Sequence, residues 1–128
     1  MIQVKKITLT PAQIIASFGA PIVILGAPAA GFIHNIAGVS LDMTFNTLAY
    51  TGSTVIGIRG ISNSTIQILQ DSTALASTVN RNVNFVWTNS HGVPWSTVKD
   101  IVLATSALVA TGNSTIDFYI IYERTILP

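Results

Sequence analysis

Alternation between apolar and polar positions is the strongest signal along this chain. It is plainest at residues 37–45, where Ala37, Val39, Leu41, Met43 and Phe45 are interleaved with Gly38, Ser40, Asp42 and Thr44. A period of two places the first set on one face of a strand and the second on the other. The period returns at residues 115–124. There Ile116, Phe118, Ile120 and Tyr122 share one face, and Asp117, Tyr119, Ile121 and Glu123 the other. That second face is only partly polar, as expected where another sheet or a neighbouring subunit covers some of it. Residues 2–9, 21–25, 54–61, 65–69, 83–87 and 101–104 are rich in β-formers and read as further strands. Within 54–61, Ile56 and Ile58 point one way and Arg59 the other, while Gly57 and Gly60 suggest a bulge or a close backbone approach. Turn chemistry fills residues 46–52, 62–64, 89–92 and 111–113, and Pro94 keeps Val93 extended.

One stretch breaks this period. Thr10 can cap a helix, Pro11 suits its first position and Gln13 can close a capping box. Leu9 and Ile14 stand where a hydrophobic staple would put them. A short helix over residues 11–18 follows, stopping at Gly19, with Ile14, Ile15 and Phe18 on its apolar face. Asp71 could cap a brief helix over 72–78, but Ser and Thr make poor helix interiors, so the stretch reads as loop or one helical turn. Seven or eight short strands with turns every eight to twelve residues, plus one helix, predict an all-β antiparallel β-sandwich. At 128 residues the prior is a single domain spanning 1–128, with residues 1–6 either part of a first strand or an extended arm.

Residues 14–33 carry no charge, which raises the question of a membrane helix. Gly19, Pro21, Gly26, Pro28 and Gly31 interrupt the run every few residues, and each proline would remove a helical hydrogen bond. What remains between them is Ile22, Val23, Ile24 and Leu25, a piece of strand length. The stretch reads as a buried strand followed by a shaped loop over 27–31, and no membrane is expected as a partner.

Composition then changes the picture in one respect. Charged residues are only 9% of the chain against about 25% in an average soluble domain, while the hydrophobic share, 49%, is ordinary. A small domain with so little charge is poorly protected against association, so much of its surface is expected to meet other subunits. The net charge is +1 and the basic residues are scattered, which argues against nucleic acid as a partner. There is no cysteine, so disulfides and thiolate metal sites are excluded. The N-terminus lacks the pattern of a signal peptide. The Asn-Ser-Thr triplets at 63 and 113 match a glycosylation pattern but read as turns leading into strands.

Candidate chemistry is thin. The loop at 27–31 lacks the ending of a phosphate-binding loop, and Gly57 and Gly60 belong to no dinucleotide fingerprint. His34 and His91 are the two imidazoles, with no partner at metal-ligand spacing. His34, Asp42 and a serine could be imagined as a triad, but no strained nucleophile elbow accompanies them. No catalytic residue, metal or cofactor is assigned. Trp87 and Trp95 are the notable aromatics, suited to a core, a subunit interface or a sugar-stacking platform.

Taken in order, Thr8 to Gln13, the apolar strand started by Pro21, the loop from Ala27 to Gly31, the Ala49-Tyr50-Thr51-Gly52 segment, Ile58-Arg59, the turn from Thr111 to Thr115 and Tyr122 resemble a recurring type of small tailed-phage virion protein. Phe32 departs from that pattern, which has lysine after the loop glycine. The resemblance implies a jelly-roll-like subunit without enzymatic activity, usually a homotrimer, exposed on the capsid as a decoration or head-fibre component. Its partners would be further copies of itself and the major capsid protein or another virion protein, with the capsid surface favoured over the tail. A tail or receptor-binding module that takes a host surface glycan is the alternative. The subunit interface is expected at Ala27, Pro28, Gly31, Phe32, Trp87, Trp95, Tyr119 and Ile121.

Overall fold

The computed structural model describes residues 2–52, 55–60, 69–87, 95–97 and 100–127. These form ten strands and one helix: β1 (Ile2–Leu9), α1 (Pro11–Ala16), β2 (Ile22–Leu25), β3 (Phe32–Thr44), β4 (Ile56–Gly60), β5 (Leu69–Asp71), β6 (Arg81–Asn84), β7 (Val86–Trp87), β8 (Trp95–Thr97), β9 (Ile101–Thr105) and β10 (Thr115–Ile126). Every pairing among them is antiparallel. One sheet has the order β1-β10-β3-β6 with β8 also beside β3, and the other β2-β9-β4-β5-β7. The two halves of the chain pair in nested fashion: β1 with β10, β2 with β9, β3 with β6 and β8, β4 with β5. Successive strands from β1 to β4 switch sheets at each step. The result is a long antiparallel hairpin rolled into a two-sheet jelly roll.

The core lies between the sheets. Leu9, Ile36, Val39, Leu41, Met43, Ile116, Phe118 and Ile120 come from the first sheet; Ile24, Leu25, Ile56, Ile58, Ile101 and Leu103 come from the second. Burying each such side chain contributes about 1.5–3 kcal/mol relative to leaving it exposed. The interior strand β9 is buried at all five positions, so it is covered on both faces.

The capping box of α1 forms as the sequence predicts. The Gln13 N–H donates to Thr10 Oγ1 at 3.3 Å, and the Thr10 N–H donates to Gln13 Oε1 at 2.9 Å. Leu9 and Ile14 are both fully buried. The helix is shorter than expected, because Ser17, not Gly19, caps it. Ser17 is fully buried; its hydroxyl donates to the Ile14 carbonyl at 2.8 Å and accepts from the Thr105 N–H at 3.3 Å. That inward tether to β9 leaves Phe18 exposed, contrary to the apolar face predicted for it.

The long alternating strand also differs from its reading. In the β10–β3 ladder Ile121 faces Gly38, but Tyr122 faces Ile36. Ala37 is therefore the extra residue of a β-bulge, and the side-chain phase slips by one across it. Val39, Leu41 and Met43 point inward on one side of the bulge; Ile36 and His34 do so on the other, and Ala37 is exposed. Phe45 lies beyond the strand end, half-buried against the core.

Three further readings are decided in whole or in part by the fold. The strand predicted over 83–87 is split at Phe85, where the chain leaves the first sheet (β6) for the second (β7). Phe85 is buried, its N–H donates to the Val39 carbonyl at 2.9 Å, and its ring meets Phe118 edge-on at 5.4 Å. After Asp71 the loop reading holds: its carboxylate accepts from the N–H groups of Thr73 and Ala74, which folds a turn that buries Ala74 and Leu75. Gly57 and Gly60 make no bulge, standing opposite Ala104 and Ile101 in regular register. The turns expected at 62–64 and 89–92, the strand over 65–68, and His91 lie outside the described residues. Among the described residues no helix is long and apolar enough to cross a membrane.

Candidate functional site: the outer sheet face and the end loop

The bulge and the register of the first sheet decide what its outer face presents. Residues directly opposite in an antiparallel ladder share a face. Four rows result along β10. Asp117 lies between Thr8 and Asp42; Tyr119 lies between Lys6 and Ser40; Ile121 lies between Val4 and Gly38; Glu123 lies between Ile2 and Asn35. Tyr119 and Ile121 thus stand side by side on the outer face, both partly exposed. With glycine at position 38, one flank of Ile121 is open, and Ile2 and Val4 on the other flank are each 63% exposed. The centre of this face is apolar.

The row above it is polar. Asp42 and Asp117 are opposed across β3 and β10, a like-charge arrangement that is unfavourable unless compensated. The Asn82 amide donates to Asp42, the Thr8 hydroxyl donates to Asp117 at 2.6 Å, and the Lys6 ammonium lies 3.5 Å from Asp117. The Thr8 hydrogen bond, aided by Lys6, holds the Asp117 carboxyl below the usual carboxylate range. Asp42, Asn82 and Asp117, with Met43, Thr44, Asn80 and Arg81, line an open cleft of about 440 Å³.

A second surface closes one end of the sandwich. Gly31 takes φ +86°, a left-handed conformation that turns the chain out of the 27–31 loop into β3. The Leu127 N–H donates to the Gly31 carbonyl at 2.8 Å, and Asp100 accepts from the Ala27 N–H at 2.6 Å, so the loop is fastened to both neighbouring segments. Phe32 is opposite Ile126, and the Arg124 guanidinium lies 4.9 Å from the Phe32 ring centroid. Ile126 is 76% exposed beside it.

The eight sequence-predicted interface residues therefore fall into separate places. Ala27, Pro28, Gly31 and Phe32 come together in the end loop; Tyr119 and Ile121 sit on the outer face of the first sheet. Phe32 is on the opposite side of that sheet from Tyr119. The backbone of Trp87 pairs with Leu69 in the second sheet, and that of Trp95 pairs with Ile36 in the first, so the two tryptophans belong to different layers. Sequence reasoning missed Ile2, Val4 and Ile126, whose exposure depends on which strands end up at edges and ends. His34 and Asp42 do not form the imagined triad: they point to opposite faces of β3, roughly 25 Å apart along it at about 3.3 Å per residue. Among the described residues no three His, Asp or Glu side chains converge as a metal site.

No family model matches the chain, and no curated protein matches it. Among solved structures it is similar to a chain of the capsid asymmetric unit of cyanophage Pam1. The TM-score is 0.64 at 14% sequence identity, covering 99% of this chain and 85% of that one. At that identity the likeness is one of fold.

Proposed function

We propose that this chain is a non-enzymatic structural subunit of a tailed-phage virion, a capsid decoration or head-fibre component that works as a homotrimer on the capsid surface. The observation that carries the reading is the shared fold along 99% of the chain with a protein of a phage capsid. The surface chemistry agrees with it. With charge at 9% of residues, and with Ile2, Val4, Ile126 and Leu127 uncovered at one sheet edge and one end, the isolated subunit leaves apolar area that further copies or the major capsid protein would cover. In this reading Phe32 and the 27–31 loop meet a neighbouring subunit at the end of the sandwich, and Tyr119 and Ile121 meet one across the outer face. Sedimentation equilibrium of the purified chain at micromolar concentration tests it. A species of about three times 13.6 kDa is expected; a stable monomer of 13.6 kDa contradicts it.

A further inference from the structure

An edge strand carries a row of N–H and C=O groups with no partner in its own sheet, and proteins usually blunt such edges. Three of the four edges among the described residues are blunted. β2 has four residues, follows Pro21 and shifts register between Val23 and Leu25. β7 has two residues, and the edge beyond β3 is shared by the short β6 and β8. β1 is different. Its eight residues pair with β10 in unbroken register, without proline or bulge, and residues 2–6 are all exposed. On the outer face an apolar strip runs from Ile121 through Val4 to this edge and stops there.

We propose that β1 pairs with β1 of a second copy of this chain, antiparallel across a two-fold axis, so that the two outer sheets become one. The proposal rests on the assembly reading above only in taking the partner to be another copy, and it supplies a contact between trimers, not within one. The lysines and the length of the overlap select the register, since an axis at Gln3 would pair only residues 2–4 of each β1. Keeping both outer faces on the same side requires the axis to pass through a residue. An axis at Lys5 or Lys6 would oppose that lysine to itself, which is destabilising. An axis at Ile7 would run Ile2 and Val4 past the strand end at Leu9 and into the start of α1. An axis at Val4 sets Val4 against Val4, Gln3 against Lys5 and Ile2 against Lys6. No like charges are then opposed, and the strip from Ile121 continues into its symmetry mate.

The absence of native cysteine makes the register directly testable. Opposed antiparallel residues have Cα atoms about 4.5–5.5 Å apart, within reach of a disulfide. Under mild oxidation Val4→Cys protein is expected to run largely as a covalent dimer on a non-reducing gel. Val79→Cys, at a position of similar exposure (61%), is expected to remain uncrosslinked. Val4→Lys, confirmed folded by its melting curve, should weaken self-association through this edge at least tenfold. If Val4→Cys crosslinks no better than Val79→Cys while the protein still sediments as an assembly, self-pairing is overturned, the assembly reading stands, and the edge is left for a strand of another protein. If the wild-type chain is a monomer throughout, both fall.

Discussion

The Tyr50 hydroxyl donates to the Ser114 carbonyl at 2.5 Å inside the core, and Gly112 stands against the ring, where any Cβ would overlap it. Burial pushes the Tyr50 phenol up to about 12 from an ordinary value of 10. Between those values the folded state keeps a proton that the unfolded state has lost, so stability falls as pH rises through that window. His34 shows the opposite sign. Its Nδ1 is buried without a hydrogen-bond partner, its ring meets Tyr122 at 5.1 Å, and burial first, then Arg124, hold its pKa below 6.5. Neutral in the fold, His34 contributes stability that is full above pH 6.5 and declines as pH drops below it. Thermal melting across pH checks both. Tyr50→Phe should lose the alkaline slope and, at neutral pH, about 1 kcal/mol for the missing hydrogen bond. His34→Leu should flatten the acid slope. A profile unchanged by either substitution would contradict these assignments.

At the scale of elements, the bulge at Ala37 is the point where local pattern and fold part company. Strict alternation through residues 37–45 directs Ala37 inward, whereas the structure directs Ile36 inward and exposes Ala37. Ile36→Asn should therefore cost about 3 kcal/mol or more by placing an amide in the core. Ala37→Asn should stay within about 0.5 kcal/mol. Equal effects in urea unfolding would contradict the bulge. Much of the rest was legible, because it depends on neighbours in sequence: the Thr10–Gln13 cap, the glycine turn at Gly31, and the alternating faces of β10. What was not legible depends on residues far apart. Ser17 goes inward because Thr105 waits for it, 88 positions away. Phe85 divides a run of β-formers because it serves both sheets. The candidate surface divides the same way. The face that carries Tyr119 and Ile121 follows from period two, whereas the exposure of Ile2 and Val4 follows from β1 being an edge, which no local pattern announces.

For the whole molecule, nested pairing explains how so little charge is compatible with a defined fold. Each of the outermost pairs, β1 with β10 and β2 with β9, joins the two ends of the chain, and the core between the sheets takes the larger apolar side chains. Of the large apolar side chains left exposed among the described residues, Ile2, Val4, Ile126 and Leu127 lie on β1 and at the end of β10, while Phe18, Val23, Leu48, Val79 and Leu108 are spread over the helix end, β2 and the loops. The same economy leaves the isolated chain with no basic stripe for nucleic acid and, among the described residues, no converging metal ligands. The proposal that this is a virion subunit is tested most directly by purifying particles from an infection in which the chain is made and probing them by mass spectrometry and immunogold labelling. The chain is expected in many copies, with label decorating the capsid. Particles that lack the chain while the infected lysate contains it would contradict a virion role.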